Sequence, residues 1–306
     1  MIDHRLAFLA LCLFWGGTWL AVKIAVVDVS PMLVACARAL ASGIAMLAIA
    51  GIGPVWQIVT KAPWRVALIG ILTSTINFAA VFWGAARVST GVAAIVGNST
   101  APIALLLFGC LLREETISRR QIAGIVLGIA GLSLLFARRT GGSMDGSAIA
   151  GIIAIVGGTF TYGLGSVLAR PLLRVASPMT LGALQMAIGG IALVPVVWLL
   201  ERPNAAQIAV LLTPAPFLSI AWMVIAGGIG ATVIYLRLIR DWGPSRTSMY
   251  AFVTPIIATI LGVIVLHERL GVQEIAGAFV LLSAVALVIP RGATDGGKRT
   301  LSDRVI

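Results

Sequence analysis

Residues 102–137 read PIALLLFGCLLREETISRRQIAGIVLGIAGLSLLFA, and residues 255–290 read PIIATILGVIVLHERLGVQEIAGAFVLLSAVALVIP. Slid by 153 positions, Pro102, Ile103, Gly109, Glu115, Ile122, Ala123, Gly124 and Leu134 fall on Pro255, Ile256, Gly262, Glu268, Ile275, Ala276, Gly277 and Leu287. The shared residues include a proline, two glycines and a carboxylate, which apolar composition alone would not align. Each copy reads as helix, short charged turn, helix, with turns Arg113-Glu114-Glu115 and His267-Glu268-Arg269. A register of 147 positions carries the repeat back towards the start of each half, placing Gly16, Lys23 and Pro31 on Gly163, Arg170 and Pro178. The chain is therefore two related halves that meet near Gly141-Gly142-Ser143.

Only 11% of the 306 residues are charged while 59% are hydrophobic, and the mean hydropathy is +1.06. So few charges cannot wet the surface of a soluble domain of this length, which makes the chain an integral membrane protein. A helix needs roughly 20 apolar residues to cross about 30 Å of hydrocarbon. Ten such stretches stand between polar punctuation: Leu6–Val27, Met32–Ala50, Trp64–Ala86, Ser89–Leu112, Ser118–Ala137, Ser147–Ala169, Met179–Leu200, Leu212–Leu236, Gly243–Leu266 and Val272–Pro290. The alternating pattern of a membrane barrel is absent. The expected fold is all-α, with ten transmembrane helices in two five-helix repeats, residues 6–137 and 147–290, and a tail, 291–306. The first stretch follows Arg5 but is too long for a signal peptide and lacks a small-residue cleavage site before Asp28-Val29-Ser30-Pro31, so it reads as a mature helix.

The net charge of +11 has a simpler use here than nucleic-acid binding. With the N-terminus cytoplasmic, one side collects 15 of the 22 Lys and Arg residues: Arg5, Lys61, Arg65, Arg113, Arg119, Arg120, Arg170, Arg174, Arg237, Arg240, Arg246, Arg291, Lys298, Arg299 and Arg304. The other side receives 6, namely Lys23, Arg87, Arg138, Arg139, Arg202 and Arg269, and Arg38 lies within a span. This excess places both termini inside, and five spans per half give the halves opposite orientation. Cys12, Cys36 and Cys110 lie in apolar stretches without metal-ligand spacing and read as small buried hydrophobes, so neither metal nor cofactor is expected.

The order Trp15-Gly16, Lys23, Pro31, Arg38, repeated weakly in the second half, together with the Pro102…Glu115…Gly124 and Pro255…Glu268…Gly277 blocks, resembles the EamA branch of the drug/metabolite transporter superfamily. The resemblance runs over residues 6–137 and 150–290. It implies two inverted five-helix repeats around a central cavity, as in the YddG-type exporters of aromatic and other amino acids, in the cell inner membrane. It also implies that the fifth and tenth helices stand outside the cavity. The sequence supports that placement independently: Ser133 is the only polar side chain between Ile122 and Phe136, and Ser283 the only one between Ile275 and Ile289.

Other spans carry polar or aromatic residues fit for a cavity wall: Trp15, Thr18, Trp19 and Lys23; Arg38; Thr73 and Asn77; Asn98; Tyr162; Gln185, which matches Arg38 in the repeat; Trp222 and Tyr235; Tyr250. For Ser, Thr and Asn the competing reading is hydrogen bonding between helices, which both side-chain types supply in membranes. Arg38 lies about six residues into its span, too deep for a surface cation, and needs carbonyls, water or an anion beside it. Pro102 and Pro255 each remove a backbone donor inside a helix and predict a kink or hinge. Glu115 and Glu268 match the family's carboxylate, yet stand at turns beside basic residues, where an ion pair or helix cap competes with a substrate role. Gly124 and Gly277 read as packing residues.

These residues point to a transporter that exports amino acids, aromatic ones as the resemblance implies, or similar small amphipathic metabolites by alternating access, with the substrate and the lipid bilayer as its partners and an oligomeric state that the sequence leaves open, a monomer being compatible with it. Multidrug or cation efflux is the alternative, as is uptake of another metabolite. Cation efflux usually centres on a carboxylate within the membrane, and Asp28, Glu114, Glu115, Glu201, Asp241, Glu268 and Glu274 all fall at or beyond span ends. An enzyme would need a nucleophile with a base or metal ligands in the bilayer, and the two histidines, His4 and His267, sit at an end and at a turn. The same lack of a titratable mid-span group argues against proton coupling.

Overall fold

The computed structural model of the chain describes residues 3–88, 90–136, 145–266 and 271–288. Span 1 is His4–Ala25, span 2 Pro31–Ala50, span 3 Pro63–Ala85, span 4 Thr90–Leu111, span 5 Arg119–Phe136, span 6 Gly146–Leu172, span 7 Pro178–Leu200, span 8 Pro214–Asp241, span 9 Pro244–Val265 and span 10 Val272–Val288. Among the described residues nine of these are long and apolar enough to cross a bilayer, and span 10 is a shorter apolar helix of 17 residues. The tail 291–306, the turn His267-Glu268-Arg269, the pair Arg138-Arg139 and the junction Gly141-Gly142-Ser143 lie outside the described residues, as do the side chains of Trp19 and Lys23.

Local chemistry sets the helix starts. Proline occupies the first turn of spans 2, 3, 7, 8 and 9, where its missing N–H is no loss. The carboxylate of Asp3 accepts from the Arg5 amide at 3.0 Å, and that of Asp145 from the Ala148 amide at 2.8 Å. One cap comes from another helix. Glu201, at the end of span 7, accepts from the Ser30 hydroxyl at 2.6 Å and from the amides of Met32 and Leu33 at 3.1 Å each, closing the start of span 2.

Two differences from the sequence reading exceed three residues. Span 8 does not stop at Leu236 but continues to Asp241, because Arg237 and Arg240 pair with Asp241 at 3.6 and 2.7 Å and hold one more helical turn at the bundle's end. The stretch after span 2, left outside the ten apolar stretches, is a helix, Ile52–Lys61, that buries Ile58 and exposes Trp56. A counterpart, Ala205–Val210, follows span 7 at the corresponding point of the repeat.

The helices pack as the repeat requires. Span 2 lies on span 7 and span 5 on span 10. Span 1 packs on spans 8 and 9, and span 6 packs in the corresponding way on spans 3 and 4. Small residues permit the closest crossings: a Cβ on Gly43 would stand 2.6 Å from the Ala187 amide between spans 2 and 7, and one on Gly277 would stand 2.5 Å from the Leu135 amide between spans 10 and 5. Gly124 meets Ala284 and Val288 across that second crossing. Apolar side chains such as Leu6, Leu9 and Leu13 form the outward stripe of span 1, as lipid-facing residues should.

Pro102 and Pro255 are buried inside spans 4 and 9, and helix continues on both sides of each. The irregular turns occur elsewhere. Ile71–Ile76 in span 3 and Met223–Ala231 in span 8 are widened, i→i+5 bonded turns at matching places in the two halves. Such turns leave backbone carbonyls looking for other donors and recur at functional sites. The Thr75 hydroxyl donates to the Gly189 carbonyl at 3.1 Å, and the Thr232 hydroxyl to the Gly227 carbonyl at 3.2 Å. Span 3's widened turn lies on span 7 through Ser74 against Gly189, and span 8's lies on span 2 through Gly228 against Ser42.

Candidate substrate site

The chain has three tyrosines, and its fold brings all of them together around one tryptophan. Trp15 comes from span 1, Tyr162 from span 6, Tyr235 from span 8 and Tyr250 from span 9. Ring centroids are 4.5 Å apart for Trp15 and Tyr250, 5.1 Å for Trp15 and Tyr235, 5.6 Å for Tyr162 and Tyr235, and 5.8 Å for Tyr235 and Tyr250. The register that sets Gly16 on Gly163 also sets Trp15 on Tyr162, so each half contributes an aromatic ring from its first span.

Polar anchors fix the rings. Tyr235 is 3% exposed, and its hydroxyl donates to the Ser166 oxygen at 2.9 Å. The Trp15 indole N–H points to the Gly227 carbonyl, 3.4 Å away in the widened turn of span 8. Trp15, Tyr162 and Tyr250 remain partly exposed while Tyr235 is buried, so the ring cluster is not wholly sealed.

The remaining candidates divide between wall and scaffold. The Thr18 hydroxyl donates to the Phe14 carbonyl and the Thr73 hydroxyl to the Ile69 carbonyl, at 2.8 and 2.7 Å; both side chains are buried in helix crossings. Asn77 joins span 3 to span 6 by donating to the Gly158 carbonyl at 2.9 Å, and Asn98 donates to Ala94 in its own helix at 2.9 Å. Trp222 departs from expectation. It is 47% exposed and continues the exposed stripe of Leu218 and Ile225, which places it on the outer surface of the bundle beside Gly17.

Among the described residues, Arg38 and Gln185 are long polar side chains without ordinary partners, and the buried hydroxyls of Ser74 and Ser99 are unpartnered as well. The Arg38 guanidinium lies 4.8 Å above the Phe78 ring and takes part in no ion pair among the described residues. Gln185 is 5% exposed, and its side-chain nitrogen has no acceptor. The described ion pairs gather instead at the bundle end that carries the N-terminus. There Glu114 meets Arg170 and Arg174 at 3.1 and 3.4 Å, and Asp241 meets His4, Arg237 and Arg240. Glu115, beside them, accepts from the Ser245 amide at 3.0 Å and from the Ser245 hydroxyl, tying the end of span 4 to the start of span 9. Its symmetry mate Glu268 lies outside the described residues.

The EamA-like transporter family model matches residues 5–137 and again residues 149–289. The chain belongs to the EamA-like transporter family. It is 29% identical over 285 residues to a protein of Escherichia coli strain K12 named as the uncharacterized inner membrane transporter YedA, covering 92% of this chain and 89% of the relative. It is 27% identical to the protein PecM of Dickeya dadantii and 27% identical to a transporter, YvbV, of Bacillus subtilis, in each case over 92% of this chain and 90% of the relative. A solved crystal structure shares the fold with a TM-score of 0.76 at 18% identity, covering 93% of this chain and 95% of that one. The widened turns of spans 3 and 8 escaped the sequence reading, since Thr73-Ser74-Thr75 and Gly227-Gly228 fit an ordinary helix equally well. Their one signal was small residues at matching places in both halves.

Proposed function

We propose that this EamA-like transporter sits in the inner membrane with both termini cytoplasmic and exports amino acids or similar small amphipathic metabolites by alternating access. The observation that carries the proposal is the aromatic cluster. Four rings from spans 1, 6, 8 and 9 meet where the halves face each other, and they bring both π-faces and hydroxyls. An apolar or aromatic side chain stacks on such faces, while its polar end reaches the hydroxyls and the donors of spans 2 and 7. Cation efflux is disfavoured because the described carboxylates that form ion pairs do so at the end of the bundle, away from these rings.

The test is solute flux in proteoliposomes, with zwitterionic, anionic and cationic solutes side by side. Trp15→Ala and Tyr250→Ala are expected to lower flux about tenfold or more while the protein stays folded, since each removes a stacking face. Unchanged flux in both variants would remove the cluster from the substrate route.

A further inference from the structure

We propose that Arg38 selects the cargo by charge, so that the transported species carries one carboxylate and crosses the membrane as a net monoanion. This rests on the transporter reading above and, within it, favours a monocarboxylate among the small amphipathic metabolites over the zwitterionic amino acids.

Three observations support it. First, the guanidinium is covered on one face by Phe78. That contact occupies the π-face and leaves the N–H edge, five donors in a fixed plane, which is the geometry that grips a carboxylate with two parallel hydrogen bonds. Second, no carboxylate among the described residues pairs with it. Of those acids, Glu114 and Asp241 pair with other bases, Asp3, Glu115, Asp145, Glu201 and Glu274 accept from backbone amides at helix starts, and Asp28 is exposed in the turn before span 2. Third, Arg38 lies on the side of span 3 that meets span 6: Phe78 beneath it follows Asn77, whose amide donates to the Gly158 carbonyl one turn before Tyr162 of the aromatic cluster.

The matching position in the other half supplies no second charge. Gln185 brings a buried amide whose nitrogen is unpartnered, a neutral donor. The described site therefore holds a single fixed positive charge. A zwitterion bound there would leave the complex charged, and its ammonium would meet the field of Arg38. A monocarboxylate with an apolar body leaves the complex neutral, the cheaper state in a low dielectric. A neutral complex and a charged empty site also mean that each transport cycle moves one negative charge.

Three probes with one ring system separate these cases: phenyllactate, net negative; phenylalanine, net neutral; and phenethylamine, net positive. In proteoliposomes holding the full-length protein, phenyllactate is expected to move about tenfold faster than phenylalanine, because both offer the carboxylate but only phenylalanine brings a second positive charge into the field of Arg38. Its flux should rise and fall with a potassium–valinomycin membrane potential. Arg38→Gln should abolish that preference. Arg38→Lys, which keeps the charge and loses the fork, should retain the sign of the preference with weaker discrimination. Equal flux of phenyllactate and phenylalanine in the parent, or flux of phenyllactate insensitive to potential, overturns the charge assignment and leaves the transporter reading standing. Movement of none of the three probes by the parent overturns both. Should Arg38→Gln fail to fold, the potential dependence of the parent and the Arg38→Lys comparison still decide the matter.

Discussion

At the scale of single residues, the fold directs most of its described intramembrane hydroxyls and amides to carbonyls of their own helices or to ties between helices, and very few remain for a solute. The Tyr235 hydroxyl is one of the ties. Tyr235→Phe deletes the bond to Ser166 and leaves that oxygen buried among apolar neighbours, so the unfolding midpoint in detergent should fall by the equivalent of about 1 kcal/mol. The effect on flux should be smaller than for Trp15→Ala, because the ring face survives. Much of the candidate ring cluster was legible in the sequence at this scale. Trp15, Tyr162, Tyr235 and Tyr250 stand out as large amphipathic rings deep in apolar stretches, and the repeat register already paired the first two. Hydroxyl roles were not legible, since Thr18 and Thr73 satisfy themselves on their own helices, and a sequence cannot say which carbonyl a threonine will find.

Between elements, the contact of Glu115 with the start of span 9 is the sharpest constraint. Gly243 there has a positive φ of 87°, and a Cβ on it would fall onto the Glu115 carboxylate. Gly243→Ala should therefore lose about 2 kcal/mol or more of stability, combining left-handed backbone strain with the collision. Glu115→Ala strands the Ser245 amide and hydroxyl and should lose about 1–3 kcal/mol. The double variant should lose less than the sum, because removing the carboxylate clears the space that an alanine at 243 needs; thermal unfolding of the four proteins forms the cycle. Helix ends were readable here because proline and glycine announce them, as Pro31, Pro63, Pro178 and Pro244 do. The helix Ile52–Lys61 was missed because Gly51, Gly53 and Pro54 carry loop chemistry, while its stability comes from seating Ile58 on the bundle. The widened turns were missed for a related reason: what the backbone meets in the next helix decides the extra residue per turn.

For the molecule as a whole, orientation and energy coupling can be tested without knowing the natural solute. Gly53→Cys and Ala206→Cys mark the two short surface helices that correspond in the repeat, both exposed. With both termini cytoplasmic and the halves inverted, an impermeant thiol reagent added to intact cells should label Ala206→Cys and spare Gly53→Cys; labelling of both from outside would contradict the inverted arrangement. A pH gradient imposed without a membrane potential should produce no uphill accumulation, and uphill movement under that gradient alone would require a proton-carrying group within the membrane. The two serine–glycine crossings also say something about ancestry. In one, the first half supplies the bulk, Ser74, and the second half the room, Gly189; in the other, Ser42 and Gly228 keep the same division. Two copies of the first half placed face to face would set serine against serine at both crossings, and two copies of the second would set glycine against glycine and leave holes. The halves have thus become lock and key to each other, and neither, released from the other and paired with its own twin, would rebuild this bundle.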